Sequence, residues 1–373
     1  MPQKTPDTVL ILSSNFGQGH MATARALQSA AEQHPEYNLV VEVVDFSEEV
    51  NRLFNTASKK IYELNAKHTP LIHKWIYEST DKSPLPIRLI NVLSYPTRKK
   101  TLLKLIEDHH PSLVISNYPI WQYIAYSLTK EYFDVEFATL ITDSISVHSA
   151  WATPDSDFYL VANEPTAASL HNLGVANKKI FPLGYPVHAD FMTPPNPKLR
   201  TELGLTSDQP LITVSASSLR LSYVKRLARS FAHLPQVTFL IVTGRDIDLY
   251  EGLSDKNFAL SENCKLIAWT NQMPEIIKNS ELVITKAGGS TVMECIAAKK
   301  PMIINKVIPG QEEGNAELVE RYQLGAVVSN PVAIREAIST IRADLPSYTT
   351  RLAKLSQPDA SAKILAFIRQ RLG

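Results

Sequence analysis

The chain has 373 residues, enough for two domains of ordinary size, and its formal charge of +1 is too balanced for bulk nucleic-acid binding, so no nucleic-acid partner is expected. Apolar residues at 44% and charged residues at 20% mark a folded globular chain and exclude disorder. Two cysteines without Cys-x-x-Cys spacing, Cys264 and Cys295, exclude a disulfide framework and a four-cysteine zinc site, and only 13 glycines give weight to any cluster of them.

The N-terminus passes directly into Val9-Leu10-Ile11-Leu12. No apolar stretch nears the roughly 18 residues of a membrane span, and no secretory segment is evident, so the expected location is the cytoplasm. Short β-branched runs then alternate with helical stretches. Val9–Ser14, Leu39–Phe46, Leu113–Ser116, Phe137–Thr142 and Phe158–Ala162 read as the strands of a parallel sheet covered by helices. The segment Phe191-Met192-Thr193-Pro194-Pro195-Asn196-Pro197 continues neither helix nor central strand and reads as the linker. Beyond it, Leu211–Ser215, Val237–Thr243, Lys265–Ala268, Leu282–Thr285, Pro301–Asn305 and Ala326–Ser329 repeat the pattern. The expected fold class is α/β, with two doubly wound domains at 1–192 and 198–373. Ligands of such sheets bind beyond the carboxyl ends of the strands, here in the cleft between domains.

The first loop, Ser13-Ser14-Asn15-Phe16-Gly17-Gln18-Gly19-His20, opens an alanine-rich helix. Gly17 and Gly19 allow close backbone approach, and the free N–H groups of the helix start favour an anion or polar ligand. A histidine there is either structural or a general base, because the helix N-terminus favours its neutral form. Gly17-x-Gly19-x-x-Ala22 also fits a dinucleotide pattern, with Asp45 as the ribose acid, which leaves a nicotinamide oxidoreductase as a remote alternative.

From Asn51 to Lys104 there are eleven Lys/Arg against three Asp/Glu, interleaved with Phe54, Tyr62, Trp75, Tyr77 and Tyr95. This is either an ordinary solvated face with core aromatics or a surface for anionic membrane, with Trp75, Tyr77, Lys99 and Lys100 as its candidates. Asp143 ends an apolar strand in Ile141-Thr142-Asp143-Ser144, where it either caps the next segment, orients His20 or accepts a proton itself. The densest motif is Thr285-Lys286-Ala287-Gly288-Gly289-Ser290-Thr291-Val292-Met293-Glu294, followed by Pro309-Gly310-Gln311-Glu312-Glu313-Gly314-Asn315-Ala316. Gly288, Gly289, Ser290 and Thr291 offer amides and hydroxyls to a diphosphate at a helix start. Glu294 reads either as a ribose acceptor or as a dipole stabiliser, and Gln311 and Glu312 supply acceptors for sugar hydroxyls.

Together with Gly17-Gln18-Gly19-His20-Met21-Ala22-Thr23-Ala24 and Thr142-Asp143 with His148 and Trp151, these motifs resemble the processive diacylglycerol glycosyltransferases and monogalactosyldiacylglycerol synthases of glycosyltransferase family 28. That family is related to the lipid-linked GlcNAc transferase of peptidoglycan synthesis. The resemblance implies a GT-B fold, UDP-glucose or UDP-galactose in the C-terminal domain, diacylglycerol on the N-terminal domain, and inverting transfer without a metal or other cofactor. It implies Glu294 at the ribose, Gly288, Gly289 and Ser290 at the diphosphate, Gln311 and Glu312 at the donor sugar, and His20 as base. It further implies that the basic segment docks on the inner face of the cell membrane and that the last helix packs back on the N-terminal domain.

The chain departs from the family at Ser215-Ala216-Ser217-Ser218, where relatives have a glycine-rich loop, and at Ala287, where they usually have proline. Ser217 retains a hydroxyl for the donor phosphates, but a Cβ restricts positive φ. Two alternatives stay open: transfer to a polyprenyl or soluble acceptor, which keeps the same donor site but needs no basic surface, and, on account of the serine loop, a catalytically silent descendant that senses UDP-sugar or lipid.

Overall fold

A computed structural model describes residues 5–15, 19–52, 70–83, 85–133, 135–152, 156–205 and 209–373. The first lobe runs β1 (Asp7–Ser13), α1 (Gly19–Gln33), β2 (Leu39–Asp45), α2 (Pro70–Lys82), α3 (Leu85–His109), β3 (Leu113–Ser116), α4 (Gln122–Tyr132), β4 (Glu136–Leu140), β5 (Phe158–Leu160), α5 (Glu164–Asn172) and β6 (Ile180–Phe181). Its six strands are parallel in the order β2-β1-β3-β4-β5-β6. The strand at Ile180–Phe181 escapes sequence reading because it is two residues long, too short for any periodicity.

The second lobe runs α6 (Leu199–Glu202), β7 (Leu211–Ser215), α7 (Leu221–Phe231), β8 (Thr238–Val242), α8 (Ile247–Ser254), β9 (Cys264–Ile267), α9 (Met273–Asn279), β10 (Leu282–Lys286), α10 (Gly289–Ala297), β11 (Met302–Lys306), α11 (Glu313–Arg321), β12 (Gly325–Val327), α12 (Pro331–Ala343), α13 (Leu345–Leu355) and α14 (Ala360–Leu372). Its parallel order is β12-β11-β10-β7-β8-β9. This is the doubly wound α/β arrangement expected of a GT-B fold, with the order reversing beside β1 in the first sheet and between β7 and β10 in the second.

Strand pleating divides the first lobe's core. Val9 and Ile11 face Ala24, Leu27 and Ala31 of α1, whereas Leu10 and Leu12 face Leu102 and Ile106 of α3 and Leu128 of α4. The small residues of α1 let it lie close on the sheet. Ile364, Leu365 and Ile368 of α14 complete the α1 side, so the last helix belongs physically to the first lobe's core.

The segment read as the linker is fastened to the second lobe. Phe191 is buried among Met293 and Ile296 of the second lobe. Lys278 Nζ donates to Thr193 Oγ1 at 2.6 Å and to Glu275 Oε1 at 2.6 Å, while Glu275 Oε2 accepts from Asn196 N–H at 2.7 Å. The chain crosses between lobes upstream, at Gly184, whose φ of +110° favours glycine. A Cβ there would stand 2.3 Å from Gln357 Oε1 and 2.6 Å from the Ala360 Cβ, so the two crossings touch at this point.

Candidate active site

Both lobes present a helix start to the cleft. In the first, α1 begins at Gly19 and carries His20 in its opening turn. His20 Nδ1 lies 2.8 Å from Thr142 Oγ1, its carbonyl accepts from Asn117 Nδ2 at 2.7 Å, and the ring meets Tyr118 edge-on with centroids 5.0 Å apart. Desolvation lowers the imidazole pKa to about 4, against the opposing effect of the Asn117 backbone. The ring is therefore neutral at physiological pH and competent to take a proton.

The pairing of His20 with Asp143 is corrected. The residue that holds the imidazole is Thr142, and the Asp143 carboxylate accepts from Trp151 Nε1 at 2.6 Å. Burial raises the Asp143 pKa to about 6. Trp151 lies beside both groups, its ring centroid 6.1 Å from that of His20. Thr142 also reaches the other lobe, because a Cβ on Gly289 would stand 3.1 Å from its carbonyl oxygen.

The loop after β4 is braced by α2. His148 sits between Thr80 Oγ1 at 3.2 Å and the Tyr77 carbonyl at 3.3 Å, and Ser149 N–H donates to Asp81 Oδ1 at 2.6 Å. Tyr77 is consequently not a surface aromatic: its ring meets His148 edge-on and covers Gly310, where a Cβ would fall 2.5 Å from Tyr77 Cδ1. A further bridge joins Lys74 Nζ to Glu313 Oε1 at 3.5 Å. Gly314 is tighter still, since a Cβ would lie 2.0 Å from the Ser144 carbonyl oxygen. Motif glycines at 289, 310 and 314 thus give clearance to the opposite lobe, a role that local reading of the motif does not reveal.

In the second lobe, Gly288 caps α10 with extended backbone, and Ser290 and Thr291 are half-buried in its first turn. Gly19 stands opposite, where a Cβ would be 3.6 Å from Ser290 Oγ. The carboxylate of Glu294, half-buried one turn further on, makes no hydrogen bond or ion pair among the described residues, and burial raises its pKa to about 7.

Glu312 departs from the expected role at the donor sugar. It is 4% exposed, its Oε2 accepts from Ile308 N–H at 3.0 Å, and its Oε1 is paired with Lys286 Nζ, so both oxygens support the loop after β11. Gln311 beside it is partly exposed. Lys286 and Lys306 are cationic groups to which the sequence reading assigns no role; their position at strand ends beside Gly288 was the available signal.

The two departures from the family pattern are accommodated. Ser217 is exposed in a turn closed by Leu219 N–H to the Ala216 carbonyl at 2.9 Å, and no residue from 215 to 218 has positive φ. The backbone N–H of Ala287 donates to the Lys306 carbonyl at 2.9 Å, a bond that proline could not make.

Of the surface candidates, Trp75 is 69% exposed and Lys100 is exposed. Lys99 Nζ donates to the hydroxyl of Tyr132 and lies 4.3 Å from that ring's centroid. Gly17 and residues 53–69 of the basic segment lie outside the described residues. Among the described residues no helix is long and apolar enough to cross a membrane, and no group of three or more His, Cys, Asp or Glu is gathered as a metal site.

Two doubly wound lobes with an imidazole on one side of the cleft and a glycine- and hydroxyl-rich helix start on the other define the GT-B class. The fold is shared with Staphylococcus aureus MnaA in its UDP co-structure (TM-score 0.64, 13% identity, 98% of this chain and 97% of that one). It is shared also with Anabaena HepE in complex with UDP-glucose (TM-score 0.57, 15% identity, 98% of both chains). The monogalactosyldiacylglycerol (MGDG) synthase family matches residues 20–187, and the glycosyltransferase family 28 C-terminal domain matches residues 215–362. Among curated proteins, the processive diacylglycerol β-glucosyltransferase of Bacillus pumilus is 25% identical over 366 residues, covering 97% of this chain and 94% of that protein. Its Staphylococcus saprophyticus counterpart is 26% identical over 361 residues, covering 95% and 89%. The two matches fall in order on the two lobes, so the chain carries an MGDG synthase domain followed by a glycosyltransferase family 28 C-terminal domain. The dinucleotide alternative falls with this assignment, and the Asp45 carboxylate accepts from Glu48 N–H at 3.3 Å at the end of β2.

Proposed function

We propose that the protein transfers glucose or galactose from a UDP-sugar to the free hydroxyl of diacylglycerol, or of a glycosyl-diacylglycerol, with inversion at the anomeric carbon. The observation that carries this reading is the placement of a neutral imidazole, fixed by Thr142, across the cleft from the Gly288–Ser290 helix start. The named activity of the curated relatives supports the acceptor class.

His20 takes the proton of the lipid hydroxyl as its oxygen attacks the anomeric carbon from the face opposite UDP. The bond from that carbon to the β-phosphate oxygen breaks, and its electron pair leaves on UDP. The proton rests on the imidazole until solvent removes it. Backbone amides at Gly288–Ser290, Thr291 and the dipole of α10 receive the diphosphate, with Ser217 at its margin. The Glu294 carboxylate, which has no hydrogen-bond or ion-pair partner among the described residues, accepts from the ribose hydroxyls. Gln311 meets the sugar from the loop that Glu312 stiffens. Trp75, Lys99 and Lys100 place the first lobe on an anionic membrane, which corresponds to peripheral attachment at the inner face of the cell membrane.

Incubation with labelled UDP-glucose and UDP-galactose, separately, on vesicles containing diacylglycerol, followed by separation of the lipids, tests this reading. A labelled glycolipid of inverted configuration is expected. Absence of lipid product with both donors would refute the transfer.

A further inference from the structure

The crossing at Gly184 is followed at once by a buried phenol. Gly184 turns the chain with its φ of +110°, and Pro186 disfavours helical backbone at the residue between them, so Tyr185 leaves the crossing in a direction set from both sides. Its ring is 7% exposed and packs in the second lobe's core with Met293, Ile296 and Ala297 of α10. The hydroxyl reaches the first lobe. It lies 2.9 Å from Oγ1 of Thr23 on α1, a buried contact across 162 positions of the chain. We propose that Tyr185 is a positioning residue for the transfer, tying the helix start that carries His20 to the helix that receives the donor. This inference rests on the base and donor roles proposed above.

The protons give the tie a direction. Thr23 Oγ1 is also 3.0 Å from the Gly19 carbonyl oxygen, which can only accept. A threonine hydroxyl has one proton, so both bonds form together when Thr23 donates to Gly19 and Tyr185 donates to Thr23. Burial raises the phenol pKa above the usual value for tyrosine, and the carboxylates of Glu294 and Asp143 act in the same direction. The donating proton therefore stays on Tyr185 at physiological pH. Asp143 belongs to the first lobe and Glu294 to the second, which puts the hydroxyl within electrostatic reach of both sides of the cleft.

The series Tyr185–Thr23–Gly19 ends on the first residue of α1, next to His20. Gly19 in turn faces α10, where its Cβ would stand 3.6 Å from Ser290 Oγ. Thr142 sets the orientation of the imidazole, and Tyr185 sets how far its helix stands from α10. A misplacement of about 1 Å between reacting groups can cost on the order of 100-fold in rate. The amides proposed to hold the diphosphate belong to α10 itself, so the tie acts on turnover and leaves donor affinity alone.

Steady-state transfer to diacylglycerol vesicles, measured beside UDP titration of the full-length protein, tests the assignment. Tyr185→Phe keeps the ring and removes only the hydroxyl. It is expected to lower kcat by about tenfold, with KM for the donor and the affinity for UDP within about twofold of the unmodified protein. Thr23→Val is expected to show the same split, and Thr23→Ser to recover most of the turnover that Thr23→Val loses. Because both substitutions break one bond, Tyr185→Phe/Thr23→Val is expected to lose no more than about twofold beyond the larger single loss. Full turnover in Tyr185→Phe overturns the positioning role. Multiplying losses in the double variant, or UDP affinity that falls in step with kcat, overturn it as well, since the first makes the hydroxyls independent and the second makes the damage general. Absence of lipid product from the unmodified protein with either donor refutes the transfer reading and the positioning role with it, a failure told apart from the others by the inactivity of the unmodified protein.

Discussion

The starts of α1 and α10 are built alike and equipped oppositely. Each follows a parallel strand, each opens at glycine, and the two approach closely enough that Gly19 would carry a Cβ 3.6 Å from Ser290 Oγ. The first turn of α1 carries an imidazole held neutral by desolvation, with no acidic partner among the described residues. The start of α10 carries amides, hydroxyls and a lysine, with a carboxylate at Glu294 that has no hydrogen-bond or ion-pair partner among the described residues. One helix start thus carries a base that burial keeps unprotonated while the other, in the proposed reading, receives an anion, and what differs is the side chains rather than the backbone.

Removal of the imidazole is the harshest test of that division. His20→Ala is expected to lower turnover by about 100-fold or more while leaving UDP affinity unchanged. Unchanged turnover would end the role of α1 as the proton-accepting side. Next comes the fit between the lobes. Gly314→Ala drives a Cβ to 2.0 Å from the Ser144 carbonyl, and initial rates are expected to fall by about 10- to 100-fold through misplacement of one lobe against the other. Preserved rates would show that this contact is absent from the working state.

Glu294→Gln addresses the α10 side. UDP binding to the unmodified protein is expected to tighten as pH rises through about 7, where the carboxylate ionises and accepts from both ribose hydroxyls. Titrations of Glu294→Gln between pH 6 and 8 should lose that dependence and weaken by about tenfold at the upper end. Stability has the opposite sign. A carboxyl whose pKa is raised in the folded protein stabilises it at low pH and loses that contribution as pH passes the raised value, so Glu294→Gln is expected to raise the Tm of the ligand-free protein at pH 8.

Asp143 yields a smaller, spectroscopic effect. Its carboxyl should titrate near pH 6, altering Trp151 fluorescence through the indole hydrogen bond, and Asp143→Asn should abolish that transition. Gly19→Ala is the mildest change, because 3.6 Å is an ordinary contact; rates within about twofold are expected.

The sheets were legible because buried parallel strands read as continuous apolar, β-branched runs, as in Val9–Leu12 and Leu282–Thr285. The helix starts were legible from their glycines. What escaped was contact between residues distant in the chain: Thr142 with His20 across 122 positions, Lys286 with Glu312 across 26, and Gly314 against Ser144. Thr142 and Asp143 are neighbours at the end of one strand, and no local pattern says which of them turns to the imidazole. Glu312 looked like a sugar ligand from its motif, yet its burial commits it to Lys286 and the Ile308 amide.

The packing of α14 against the first sheet has a consequence for synthesis of the chain. Ile364, Leu365 and Ile368 fill the core around α1, and Arg369 and Arg371 pair with Asp7 and Glu136. The lobe translated first therefore cannot close its core until residues 360–372 have left the ribosome, after the whole second lobe has been made. A chimaera that exchanges lobes between relatives has to carry this helix with the first lobe, although nearly the entire second lobe separates them in sequence.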